Sequence, residues 1–326
     1  NIADRLPSGP AAHLRWALRV AEACAREVRY EAQLISRALR GVDTELVLLK
    51  GAAYVLGTHA AGGGRFFQDT DILVREQSLP QVEIALLHAG WVPESRDAYD
   101  QRYYREWMHE IPPLRHAQRG TLLDVHYNIL PRIGRLKPDA RRLIESSRPV
   151  DGGFGLRMLA PEDLILHSAA HLFQNGEFEH ALRDLSDLHL LVGEHLSDDE
   201  AWLALVNRAQ ELDLVLPLHC ALVVLARMLG VTVPQVAWHQ LRVQGGGGRA
   251  RRLALLFRVA MTPAPRGWLG NQVGALARAV LFMRSHWVRM PPVRLARHLL
   301  RKTSRRASGQ TGSSQTMGAG NRGHGA

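Results

Sequence analysis

Cysteine is scarce in this chain: 326 residues hold two, Cys24 and Cys220. They lie far apart and neither has a partner at metal-ligand spacing, which speaks against a disulfide framework and against a thiolate zinc site. Long apolar runs are also missing, since no stretch approaches the ~20 residues that a bilayer-spanning helix needs. The opening Asn-Ile-Ala-Asp-Arg shows no charged segment followed by an apolar one. Neither secretion nor membrane insertion is therefore indicated, and a reducing, cytoplasmic setting is expected. The first residue is Asn rather than Met, which leaves a start further upstream open. Acidic residues are absent between Arg249 and Arg306, where basic ones dominate, and this late segment holds much of the formal charge of +10. Such an excess favours anionic partners, but its position says little about a site in the first half. No internal repeat is evident.

With 46% hydrophobic residues the chain can bury a substantial core, and it is long enough for two compact units. From Ala11 to Arg40 the apolar residues Leu14, Leu18, Ala21, Ala25, Val28, Ile35 and Leu39 recur near helical spacing, and Gly41 supplies a stop. Glu45 to Leu49 reads as a buried strand, followed by Lys50-Gly51 and a helix from Ala52 to His59. After the glycine-rich Ala61 to Gly64, Asp69 to Val74 predicts a second strand. Leu79 to His88 predicts a helix ending at Gly90, and Thr121 to Ile129 a third strand. Strands interleaved with helices predict an α/β or α+β unit over residues 1–150. Beyond Asp151-Gly152-Gly153 the pattern turns helical, with Pro161-Glu162-Asp163 opening a helix through Phe173. Further helices are predicted at His180 to Val192, Asp199 to Leu212, Arg249 to Met261 and Trp268 to Met290. These define a helical unit over 151–302 with a linker at Gly245 to Gly248, and the Ser/Gly-rich 303–326 is expected to be a disordered basic tail.

Asp69 and Asp71 sit two apart on a predicted strand, so the pleat turns both carboxylates to one face, where they can hold hard divalent cations. Asp124 lies in another apolar strand between Leu123 and Val125, where an isolated buried charge is costly and a metal or cationic partner removes the cost. Arg65 is the competing partner. Such a triad can bind two Mg²⁺ (or Mn²⁺) ions. One would lower the pKa of an attacking hydroxyl, and the other would steady pyrophosphate during in-line attack at an α-phosphate. Lys50-Gly51-Ala52 falls at a helix start, where backbone N–H groups favour an anion, and Lys50 and Arg65 can add charge-assisted contacts.

Each signal has a plainer reading. The Asp69/Asp71 pair can cap nearby N–H groups, and Lys50 can be a strand-end cation. His126 shares the face of Asp124 and can orient a carboxylate, contact an acceptor or simply be structural. Gly62-Gly63-Gly64 lacks the spacing of a P-loop and fits a lid or a connection. His167 and His171 share one helix face, but His167-Ser-Ala-Ala-His171 lacks the acid of H-E-x-x-H, so cleft lining or core packing fits better than a zinc site.

In these residues the sequence resembles the uncharacterised bacterial nucleotidyltransferases of the polymerase-beta superfamily. The matching stretches are Leu-Leu-Lys-Gly-Ala-Ala (48 to 53), Arg65 with Asp-Thr-Asp-Ile-Leu-Val (69 to 74), and Leu-Leu-Asp-Val-His-Tyr (122 to 127). The run from Leu159 to His171 matches the family's passage into its helical half. The resemblance implies an α+β fold: a small mixed β-sheet nucleotidyltransferase core with flanking helices, followed by a mainly helical C-terminal domain. It implies ATP or another nucleoside triphosphate as donor, Mg²⁺ or Mn²⁺ as cofactor, and transfer of an NMP group to an acceptor hydroxyl with release of pyrophosphate. Asp69, Asp71 and Asp124 take the metal and catalytic positions, and Lys50, Gly51 and Arg65 the nucleotide side. Better-studied members carry Gly-Ser where Gly51-Ala52 stands here, so hydroxyl assistance to the phosphate is missing. A small-molecule acceptor is favoured over tRNA or protein, and a catalytically silent nucleotide-binding or scaffold protein of the same fold is the alternative. The basic C-terminal helices could meet an anionic membrane or nucleic acid weakly. The helix from Trp268 is expected to pack an apolar side with Leu276, Val280 and Trp287 on the protein and to leave its arginines solvated.

Overall fold

The computed structural model describes residues 5–152, 154–176, 178–245, 247–262 and 268–289, and the expected tail at 303–326 lies outside them. The first helix, α1 (Ser8–Ala38), buries Ala21, Val28, Ala32 and Ile35, a set spaced to share one helix face. Gly41 follows with φ of +94°, a conformation that costs glycine little. Next come β1 (Leu46–Leu48), α2 (Lys50–Leu56), β2 (Asp69–Leu73), α3 (Leu79–His88), β3 (Trp91–Pro93) and α4 (Ala98–Trp107). They are followed by β4 (Leu114–His116), β5 (Leu122–His126), α5 (Ala140–Ser146), β6 (Arg148–Pro149) and β7 (Leu156–Met158).

The strands form one mixed sheet of seven in the order β3-β4-β5-β2-β1-β7-β6. At its centre β2 runs parallel to β5 and antiparallel to β1, and β1 runs parallel to β7. The sequence pattern anticipates β1, β2 and β5, which are apolar and central. It does not anticipate β3, β4, β6 and β7, each only two or three residues long and too short to show a period-two alternation. The expected boundary at residue 150 falls between β6 and β7, which pair with each other and extend the sheet.

Helices make up the rest: α6 (Pro161–Asn175), α7 (Ala181–His195), α8 (Asp199–Glu211), α9 (Val215–Met228), α10 (Gln235–Val243), α11 (Gly248–Met261) and α12 (Trp268–Arg289). Of these, α9 escapes a periodicity argument because eight of its residues, from Pro217 to Leu225, are buried and no polar face remains. The core is continuous from Val28 on α1 through Val47 and Ile72 in the sheet to Leu222 on α9 and Leu281 on α12. Among the described residues no helix is long and apolar enough to cross a membrane.

The expectation for α12 fails for its apolar side and for Arg284, although Arg278 is exposed as expected. Leu276, Val280, Met283 and Trp287 are exposed, whereas Ala277, Leu281 and Ser285 are buried. Arg284, expected in solvent, donates to the Phe173 carbonyl at 3.0 Å and stands 6.0 Å from the centre of the Phe257 ring. The physical reason is size: the face with Ala277 and Ser285 lets α12 approach α6 closely, so closely that a Cβ on Gly176 would lie 2.6 Å from the Ser285 Oγ. The Trp268 side chain lies outside the described residues.

One buried ionic network ties α5, α6 and α8 together. The Asp163 side chain is fully buried at the start of α6 and accepts from Arg208 Nε at 2.8 Å, from a second Arg208 nitrogen at 2.9 Å and from Ser146 Oγ at 2.7 Å. Removing the cation strands a carboxylate without solvent. Arg208→Ala is therefore expected to destabilise the protein by roughly 3–5 kcal/mol, and the double change Asp163→Leu with Arg208→Leu by less, because no charge is then left buried. Urea unfolding of both variants checks this; a smaller loss for Arg208→Ala than for the double variant would contradict it.

Candidate active site

The parallel pairing of β2 with β5 sets Asp71 directly opposite Asp124 and Asp69 opposite Leu122. Residues two apart on a strand share a face, so Asp69 and Asp71 on β2 and Asp124 and His126 on β5 all point to the same side of the sheet. One donor atom each from Asp71, Asp124 and His126 lies within 4.8 Å of the others. Asp69 stands one pleat further toward the end of β2, more exposed than Asp71.

Lys50 and Glu110 flank this cluster, one as cation and one as carboxylate. Lys50 Nζ lies 2.6 Å from Asp71 Oδ1, and His126 Nε2 is 3.0 Å from the same oxygen. The other His126 nitrogen, Nδ1, faces Glu110 Oε2 at 3.2 Å, brought there by an isolated antiparallel bridge between Glu110 and His126. Lys50 reaches Asp71 from a backbone φ of +45°, at the turn where β1 ends and α2 begins. A non-glycine residue in that region stores about 1–3 kcal/mol of strain, which the surrounding structure must overcome. Immediately after it, Gly51 has no room for a side chain: a Cβ would lie 2.4 Å from the Phe67 ring and 3.3 Å from Arg65 Nε.

Arg65 thus lies beside the first turn of α2, but its guanidinium is committed to Asp187 of α7 in an ion pair with both side chains largely buried. It also stands 5.5 Å from the centre of the Tyr54 ring and 5.9 Å from that of Phe67. Of the residues assigned to the nucleotide side, Lys50 contacts a site carboxylate, Gly51 packs against Phe67 and Arg65, and Arg65 pairs with Asp187 of the helical half.

The charges respond to this crowding in different ways. Burial would raise the Asp71 carboxyl, but Lys50 and His126 outweigh it and hold the group well below the usual carboxylate range. Asp124 has burial without a direct cation, and together with the charges of Asp71 and Glu110 this pushes its carboxyl up to about 7. Asp69 is raised by burial and by Asp71. Burial works against the Lys50 and His126 cations, yet Asp71 outweighs it for Lys50, and Glu110 with Asp71 for His126, so both values are raised. His167 on α6 is buried and lies near Lys50 and His126; burial first and those cations second hold it down to about 3, so its ring is neutral.

A buried carboxylate that resists ionisation beside others that stay ionised marks a place short of positive charge. The donor set of two aspartates and a histidine suits a divalent cation, with Asp69 and Glu110 adding negative potential nearby. The sequence points to Asp69, Asp71, Asp124, Lys50, Gly51 and Arg65 and allows roles for His126 and His167. It does not point to Glu110 and Asp187, which lie on no recognisable pattern and reach their partners only through the fold.

No curated protein sequence matches the chain. Among solved structures, the crystal structure of an antigenic nucleotidyltransferase-like protein from Paracoccidioides brasiliensis is similar over 57% of this chain and 88% of that one, at 11% identity and a TM-score of 0.29. That likeness is too loose to carry an argument. Residues 1–230, which hold the described sheet, the carboxylate cluster, Lys50 of α2 and His167 of α6, match the uncharacterised nucleotidyltransferases, and the chain belongs to that family.

Proposed function

We propose that this cleft transfers a nucleoside monophosphate from a nucleoside triphosphate to an acceptor hydroxyl in a reaction that depends on Mg²⁺ or Mn²⁺. The observation that carries the reading is the in-register opposition of Asp71 and Asp124, with the Asp124 carboxyl raised to about 7. Asp71 and Asp124 would hold the cation, with Asp69 at the mouth of the cleft. When bound, such a cation supplies Lewis-acid neutralisation of the phosphoryl oxygens.

The chain's own groups then have separable tasks. The acceptor oxygen bonds to the α-phosphorus, the bond from that phosphorus to the bridging oxygen of the β-phosphate breaks, and pyrophosphate leaves. Asp124 is suited to take the acceptor proton on a carboxylate oxygen, because a bound cation would favour its ionised form, the form that can accept a proton. Lys50 and His126 both contact Asp71 Oδ1, which keeps Asp71 ionised, and Lys50 would add a charge-assisted contact to the triphosphate. Glu110 lies 3.2 Å from His126 Nδ1 on the other side, and its charge favours the protonated ring. A small-molecule acceptor is favoured over tRNA or protein. The alternative is a protein of the same fold that binds nucleotide without turnover. Incubation with labelled nucleoside triphosphates, Mg²⁺ or Mn²⁺ and fractionated extract separates the two: uptake of label with release of pyrophosphate supports transfer, and metal-dependent binding without pyrophosphate supports the silent protein.

Asp71→Asn and Asp124→Asn should each lower transfer by roughly 10²–10⁴-fold while circular dichroism stays native, since each removes a charge that the chemistry needs and Asn is nearly isosteric. Near wild-type turnover in both would end the proposal. Lys50→Ala should weaken triphosphate binding, and by more at low salt than at high salt, because screening hides a lost attraction. Unchanged affinity would reduce Lys50 to a structural partner of Asp71. Arg65→Ala should first lower thermal stability, since it strands Asp187 in a largely buried place.

Asp124 also fixes the sign of a pH effect. Its carboxyl is higher in the folded chain, at about 7, than the ~3.9 of an unfolded one, so the stability it contributes is complete below that lower value and is lost as pH rises through the higher. A bound cation opposes the loss by favouring the ionised form. Mn²⁺ should therefore raise the melting temperature more at pH 8 than at pH 6, and an equal or smaller rise at pH 8 would contradict the assignment.

A further inference from the structure

A second group of metal-ligand side chains lies at the opposite end of α2 from Lys50, about 10 Å along the helix axis. His59 follows α2, and Glu194 and His195 close α7. His59 Nδ1 is 2.7 Å from Glu194 Oε1, and the other carboxylate oxygen accepts the Ala60 N–H at 3.2 Å. His195 Nε2 is 3.8 Å from the same Oε1, and the two imidazoles meet edge to face with centres 5.1 Å apart. One donor atom from each of the three residues falls within 4.8 Å of the others.

The hydrogen bond between His59 and Glu194 needs no ligand. His195 is not explained by it: its Nε2 is buried with no hydrogen-bond partner among the described residues, and 3.8 Å to the carboxylate is too long for a bond. Two ligands that each lie about 2.0–2.1 Å from a tetrahedral zinc ion are about 3.4 Å apart, and the separations of 2.7 Å and 3.8 Å bracket that spacing. We propose that His59, Glu194 and His195 form a zinc site distinct from the carboxylate cleft, with Nδ1, Oε1 and Nε2 as ligands.

Two imidazole nitrogens and one carboxylate are the donors that a borderline cation prefers, whereas Mg²⁺ calls for oxygen ligands. Glu194 is the most exposed of the three, with 32% of its side chain accessible, which leaves a side open for water as a fourth ligand. Glu194 lies seven residues after Asp187, two turns along the same face of α7. The ion would pin α7 to the end of α2 at the place where Asp187 two turns earlier holds Arg65 beside its start. Its role is a structural cross-link that keeps the first turn of α2 in position.

The test uses the full chain carrying Asp71→Asn and Asp124→Asn, so that binding at the cleft is weakened and failure of the nucleotidyl-transfer proposal cannot be mistaken for failure of this one. After chelation and dialysis, zinc uptake is read by elemental analysis and stability by thermal unfolding. The expected result is about one zinc ion per chain, with a rise in melting temperature that Mg²⁺ does not reproduce. Adding His195→Ala should weaken zinc binding at least about tenfold and abolish the rise. Glu194→Gln, which keeps the shape and can still hydrogen-bond, should do the same and serves if the first variant does not fold. No zinc uptake by the starting variant, or equal uptake after either further change, would overturn the proposal.

Discussion

Two carboxylates set opposite each other on neighbouring strands repel, and a fold that places them there must supply positive charge or lose one ionisation. The parallel pairing of β2 with β5 imposes this condition on Asp71 and Asp124. Asp71 meets it with Lys50 and His126 on one oxygen, and Asp124 meets it by holding its proton to about 7. Much around the cleft serves that imbalance. Lys50 accepts a left-handed backbone to reach Asp71, and Glu110 balances the His126 cation from the other side.

The helical half takes part in the same arrangement. His167 is carried by α6 to the buried side of the cluster, where its neutral ring adds no further charge. From α7, Asp187 holds Arg65 against Gly51, and Glu194 holds the turn that follows α2. The short helix that begins at Lys50 is thus fastened at both ends to α7. The core is continuous from sheet to helices, and the helical half contributes His167 and Asp187 around the cleft. In α12 the small Ala277 and Ser285 flank a single large buried side chain, Leu281, on the inward face, and Leu276, Met283 and Trp287 are left outside.

Much was legible locally. The period-two placement of Asp69 and Asp71, the apolar flanks of Asp124 and the Lys50-Gly51 turn identified the strands and the residue types able to hold a cation, because strand periodicity and the cost of buried charge act over a few residues. Long amphipathic helices such as α1, α7 and α8 were visible for the same reason. β3, β4, β6 and β7 were not, being short without the fully buried apolar run that marks β1, and α9 was not, being buried over most of its length.

The sequence by itself determined which residues could do the chemistry and where the central strands lie, since those properties follow from side-chain type and short-range spacing. Only the tertiary structure decided that Asp71 faces Asp124, that His126 bridges to Glu110, that Arg65 is paired with Asp187 122 residues away, and that α12 turns its large apolar side outward. Strand register and ion pairing between distant segments depend on which surfaces are buried together. That competition involves the whole chain at once, and no local period records its outcome.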